Sequence, residues 1–155
     1  MDNINVIRIG FSSPEFRIPE IDGEIDNPID RSGGKFTCLV FINTDDQGLA
    51  VIKDLDTGLP KTSTGFQVIT SVIIPVKVKQ AKAFRDRADI GIRLFCDSDL
   101  RAGKLFSVVD SAKSRLSYHP IAFIIGEDGS VRYRLAIGPE GLDTQLLRDT
   151  ISKLA

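Results

Sequence analysis

The sequence predicts an α/β domain: a three-layer α/β/α sandwich around a mixed central sheet. Three observations predict it. Strand-length apolar runs alternate with helical segments through the middle of the chain, those runs are apolar on both faces, and a β-hairpin followed by a helix closes the chain. Strands that alternate with helices pair in parallel through right-handed crossovers. A parallel strand covered on both faces needs apolar residues at nearly every position. The closing hairpin adds an antiparallel edge.

The elements follow in order. Residues 1–34 are rich in Pro, Gly and Asp. They predict short strands at residues 6–9 and 15–19 and a turn at Asp22-Gly23, an N-terminal extension packed on the rest. Gly33-Gly34 breaks the chain before residues 36–42 (Phe-Thr-Cys-Leu-Val-Phe-Ile), the first core strand. A polar stretch and Gly48 follow, then a helix through residues 49–55 capped by Asp45 or Asp46, whose carboxylates suit the free N–H groups of a first turn. Residues 60–65 read as a loop and 66–74 as the second core strand, ended by Pro75. Residues 78–88 form a helix with Ala81, Ala83, Phe84 and Ala88 on its less polar side. Residues 92–96 form a short strand, and Asp97-Ser98-Asp99 caps a short helix at 100–106. Residues 121–125 and 131–137 make a hairpin around Glu127-Asp128-Gly129-Ser130. Residues 142–154 close the chain as an amphipathic helix through Leu142, Leu146, Leu147, Ile151 and Leu154.

The bulk composition narrows the function classes. A chain of 155 residues fits one domain, 1–155, with a single sizeable core. Its 20 basic and 21 acidic residues give a net charge of -1, which supplies no electrostatic reason to expect nucleic acid or a membrane surface as partner. The basic residues Arg8, Arg17, Arg132 and Arg134, and those at 77–87, read as solvated faces. No apolar stretch reaches the length of a membrane span, and the N-terminus carries an acid at position 2 and no apolar run, so a cytoplasmic protein, or one already trimmed of a signal, is expected. Cys38 and Cys96 are too few for a disulfide scaffold and form no CxxC pair.

Four segments, in order along almost the whole chain, resemble peroxiredoxins of the alkyl hydroperoxide reductase and thiol-specific antioxidant family. Residues 9–23, Ile-Gly-Phe-Ser-Ser-Pro-Glu-Phe-Arg-Ile-Pro-Glu-Ile-Asp-Gly, resemble that family's Gly-x-x-Ala/Ser-Pro-x-Phe-x-Leu-Pro-x-x-Asp-Gly opening. Residues 94–99, Leu-Phe-Cys-Asp-Ser-Asp, are similar to its Leu-Leu-Ser-Asp-x-Asp stretch, and Phe106-Ser107-Val108 to its Tyr-Gly-Val. Residues 120–129, Pro-Ile-Ala-Phe-Ile-Ile-Gly-Glu-Asp-Gly, resemble Pro-x-x-Phe-Ile-Ile-Asp-x-Asp-Gly. The resemblance implies a thioredoxin-like fold with a peroxiredoxin-type N-terminal β extension, a homodimer, and a cis-proline at Pro120.

It also implies a catalytic thiolate at a helix N-terminus just after the first core strand, where the helix dipole and free N–H groups lower its pKa. This sequence has none there. An ungapped comparison with thioredoxin-like reductases sets Asp46-Gln47-Gly48-Leu49 on Cys-x-x-Cys. The peroxiredoxin pattern Pro-x-x-x-Thr-x-x-Cys, started at Asn43, sets Gln47 on the Thr and Ala50 on the Cys. Cys38 lies inside a strand and reads as a small buried apolar residue. Cys96 ends a strand beside Asp97, whose charge would raise the thiol pKa.

The polar residues gathered at the expected site are Asn43, Thr44, Asp45, Asp46 and Gln47, with His119 and Pro120 brought near by the loop before the hairpin. Three readings follow. The first is a family relative without thiol catalysis that keeps the fold to bind or assemble with a protein partner or small molecule, and needs no cofactor. The second is a peroxidase or oxidoreductase using Cys96. The third is a small-ligand or metal site at Asp45, Asp46 and His119, against which stands the simpler role of the two carboxylates as helix caps and the usual need of a metal for three or more ligands.

Overall fold

The structure is a computed structural model that describes residues 9–29, 35–58, 62–63, 66–88, 92–112 and 117–154. The strand expected at 6–9 falls outside the described residues except for Ile9, which opens a turn.

Strands β1 (Ile18–Pro19) and β2 (Ile25–Asp26) form a small antiparallel hairpin around a turn in which Gly23 has φ 93°. The main sheet contains β3 (Lys35–Phe41), β4 (Thr62–Ser63), β5 (Phe66–Ile74), β6 (Arg93–Cys96), β7 (Ile121–Ile125) and β8 (Val131–Ala136). Its order is β4-β5-β3-β7-β8, with β6 also on β5. Strands β3, β5 and β6 are parallel, while β7 and β8 run antiparallel to their neighbours. The helices are α1 (Asp46–Gly58), α2 (Val78–Ala88), α3 (Arg101–Leu105) and α4 (Thr144–Leu154). This is the α/β/α architecture expected from the alternation.

The core strands are apolar on both faces because each face has its own core. Cys38, Val40, Val72, Ile74, Leu94, Ala122 and Ile124 face α1, α2 and α4 through Val51, Ile52, Leu55, Ala81, Phe84, Leu147 and Ile151. The alternate residues Leu39, Phe41, Ile73, Phe95, Phe123 and Ile125 face α3 and the N-terminal segment through Ala102, Phe106, Phe16, Ile18 and Ile29. The β3-α1-β5 and β5-α2-β6 crossovers step the same way across the sheet, so one handedness puts both helices on one face. The N-terminal hairpin is tied to β6 by Arg93, which reaches Glu20 at 2.8 Å and Asp26 at 3.0 Å and lies over the Phe95 ring.

Candidate functional site at the carboxyl end of the parallel strands

Phe41 pairs with Ile73 of β5 on one side and with Ile121 of β7 on the other, and Ile74 pairs with Cys96. The ends of β3, β5 and β6 and the start of β7 therefore lie together. In open α/β sheets ligands bind beyond the carboxyl ends of the strands.

The polar run 43–47 is tied into the fold. Asp45 is the cap of α1, accepting the Gly48 N–H at 2.8 Å. Asp46 is fully exposed and reaches Arg87 of α2 at 3.3 Å. Gln47 donates to the Gly138 carbonyl at 2.6 Å, pinning the start of α1 to the loop before α4. Thr44 is half-buried beside them. Gly48 is required by close approach: a Cβ there would sit 1.9 Å from the Asn43 carbonyl oxygen.

Asn43 does something the sequence reading did not anticipate. Its amide donates to the Tyr118 carbonyl at 3.0 Å and accepts the Tyr118 N–H at 2.7 Å. The β3–β7 ladder ends at Phe41 and Ile121, because the next N–H that would face β3, that of His119, bonds to the Val108 carbonyl instead, while the Pro120 carbonyl accepts the N–H of Ile137, just past β8. The Asn43 side chain ties the chain just before β7 back to the end of β3. The chain enters β7 this way with every peptide bond among the described residues trans, so Pro120 is not the cis-proline that the resemblance implied; trans is also the ordinary preference of an X-Pro bond.

His119 is half-exposed, and its nearest carboxylate is that of Asp110, 3.8 Å from Nε2. Asp45 instead serves its own helix and Asp46 serves Arg87. Among the described residues no group of three or more His, Cys, Asp or Glu side chains is placed to hold a metal ion.

Beneath this surface lies a buried polar centre. Asp97 is 1% exposed. Its carboxylate accepts the N–H groups of Ala102 and Gly103, each at 2.9 Å, and the Tyr118 hydroxyl at 2.5 Å. It thus caps α3 from outside the helix, since the N-cap position, Leu100, offers no side-chain bond. The Tyr118 ring packs edge-on against Phe41 and fills the space that Gly103 leaves open, where a Cβ would meet it at 2.5 Å. Burial, and then the neighbouring Asp97 charge, push the Tyr118 phenol well above its usual pKa. Leu100 (φ 61°) and Ser107 (φ 57°) bracket α3 in the left-handed region, which costs a residue with a Cβ about 1–2 kcal/mol. Asp97 was legible as a cap. Tyr118 and Asp110 were missed, and the one signal that pointed to Tyr118 was a glycine inside a helix, which often marks a close approach.

Both cysteines are free and buried. Cys38 lies mid-strand, and burial pushes its thiol up to about 12. Burial also pushes Cys96 up to about 11. The direction matches the sequence expectation, but the cause is desolvation and not the Asp97 charge. The first turn of α1 carries Asp46, Gln47, Gly48 and Leu49 and no thiol.

Sheet order, the N-terminal hairpin on β6 and a helix starting just past the first core strand define a thioredoxin-like fold of the peroxiredoxin kind. Solved structures agree. A cysteine-to-serine mutant of PrxQ from Xylella fastidiosa matches with TM-score 0.81 at 13% identity over 96% of this chain and 97% of that one. A peroxiredoxin-like protein from Aquifex aeolicus matches with TM-score 0.84 at 13% identity over 97% and 89%. Peroxidoxin BcpB from Mycobacterium tuberculosis matches with TM-score 0.77 at 15% identity over 96% and 99%. At such identities the likeness is one of fold. No protein-family model and no curated protein matches the chain. No helix among the described residues is long and apolar enough to cross a membrane.

Proposed function

We propose that this peroxiredoxin-type fold works without thiol catalysis, as a binding or assembly module whose working surface is the sheet end around Asn43, Thr44, Asp45, Asp46, Gln47, His119 and Pro120. The observation that carries the reading is the placement of the two thiols. A catalytic thiol must be ionised and must meet its substrate. Cys38 and Cys96 are 0% and 3% exposed, with pKa values pushed up to about 12 and about 11. At neutral pH each is a neutral thiol inside the protein.

The surface itself offers hydrogen bonding and charge. Asp45 and Asp46 are exposed at the start of α1, and the His119 imidazole is open to solvent. That set suits a protein partner or small molecule bearing donors and cations. We extend the reading to a homodimer in the cytoplasm, a reducing compartment that suits two free buried thiols.

The test is hydrogen peroxide consumption by the reduced, purified protein, with free cysteine as baseline. We expect a rate per thiol no higher than that baseline, unchanged by Cys96→Ser. Turnover well above it that disappears in Cys96→Ser would overturn the reading and make Cys96 the nucleophile.

A further inference from the structure

We propose that Asn43, Tyr118 and Asp97 form a latch through which the sheet end holds α3 in a strained conformation. The proposal needs no ligand and stands whether or not the sheet end binds one.

The latch has three links. Asn43 grips Tyr118 by both backbone groups, at 2.7 and 3.0 Å. The Tyr118 hydroxyl meets Asp97 Oδ2 at 2.5 Å. Asp97 holds two N–H groups of the first turn of α3, those of Ala102 and Gly103, while Asp99 takes that of Arg101. Asn43 thus acts, together with the Val109–Tyr118 bridge, on a helix to which it makes no hydrogen bond of its own.

The segment it governs is under tension. Residues with side chains stand in the left-handed region at both ends of α3, Leu100 at φ 61° and Ser107 at φ 57°. Five residues are too few to be stable as a helix on their own. What keeps α3 wound is the buried Asp97 carboxylate, with the exposed Asp99 beside it, at one end and the burial of Ala102 and Phe106 beneath. The carboxylate is in turn satisfied only while Tyr118 is seated, because it is buried at 1% exposure and the phenol is its third donor. Withdrawing Tyr118 leaves a buried anion short of a donor, and the segment 97–107 gains by unwinding toward water. The Gly103 gap, shaped to the Tyr118 ring, makes the seating specific. This is a two-position element, α3 wound or released, set by the grip of a distant asparagine.

Hydrogen exchange of the full chain tests it. Tyr118→Phe keeps the ring and removes only the hydroxyl. Asn43→Ala removes the grip without touching α3. Each should speed exchange of amides 102–108 roughly tenfold or more, the effect of losing a bond to a charged group, while amides of α2 and α4 keep their rates. The double variant should show less than the sum of the two effects. Ser107→Gly, at an exposed position, relieves one strained residue and should slow exchange of 102–108 in either background. The proposal falls if Asn43→Ala leaves 102–108 unchanged, if the effects add in full, if α2 and α4 speed up equally, or if Ser107→Gly restores nothing.

Discussion

A cysteine inside a strand is read from sequence as an apolar residue, and the structure turns that reading into a pH dependence. The Cys38 thiol has a folded pKa of about 12 against an ordinary 9.0, and Cys96 one of about 11, both through burial. A pKa raised by folding means that the fold favours the protonated thiol. Its stabilisation is fully present below pH 9 and is lost as pH rises toward the folded values. Each buried thiol should then cost about 1 kcal/mol of stability between pH 9 and pH 10, and the raised Tyr118 phenol adds to the loss from pH 10 upward. Denaturant midpoints at pH 8, 9 and 10 check this, with Cys38→Ala expected to flatten the curve. A midpoint constant across that range would mean that the thiols are far less buried than they are here. Single residues were unevenly legible. A cap at Asp45 or Asp46 followed from their place before an apolar run, and of the two it is Asp45 that caps. The partners of Asn43 and His119 did not, because they come from the loop between α3 and β7, whose path no local pattern encodes.

At the scale of elements, the long pieces were readable and the short ones were not. Strands β5 and β7 and helix α2 match the expected ranges at both ends, since each has a clear apolar period and a proline, glycine or charge at its boundary. Strands β2 and β4 are two residues each and were missed, because a pair of bridged residues exists only through its partner strand. Helix α1 begins at Asp46, ahead of the expected start. Gly48 is the reason that it can. The first turn lies so close under the end of β3 that a Cβ would stand 1.9 Å from the Asn43 carbonyl oxygen. Gly48→Ala is therefore a test of whether packing outweighs propensity. An interior alanine gains about 1 kcal/mol over glycine in a helix, whereas forcing an atom into a packed site costs about 1–3 kcal/mol. Here the obstructing atom is backbone and cannot rotate away, so we expect net destabilisation by about 1–2 kcal/mol. A thermal midpoint at or above that of the parent protein would show that the β3–α1 loop yields freely.

For the molecule as a whole, the question is what this fold offers at the start of α1, whose first turn carries no thiol. A helix N-terminus stands there, with the strand ends meeting around it. What the surroundings offer a thiolate is already engaged: Gln47 bonds to Gly138, Asn43 to Tyr118, and the Gly48 N–H to Asp45. Asp46→Cys would put a thiol at a fully exposed position in the first turn of α1, near Arg87. The helix terminus stabilises an anion there by about 0.3–1 kcal/mol, so the new thiol should ionise below the ordinary cysteine value and react with a thiol reagent at neutral pH, while Cys38 and Cys96 stay silent until the protein is unfolded. Its peroxide consumption should nevertheless be no greater than its thiolate fraction gives, because the Gln47 and Asn43 amides and the Gly48 N–H are committed to other partners and do not stabilise the leaving oxygen. Reagent labelling against pH and a peroxide assay on the same variant separate the two parts. Peroxide turnover far above the thiolate baseline would mean that the backbone alone carries the peroxidase site and that only the sulfur is missing; a new thiol as unreactive as Cys38 would mean that the sheet end is closed and that the start of α1 is not a binding surface.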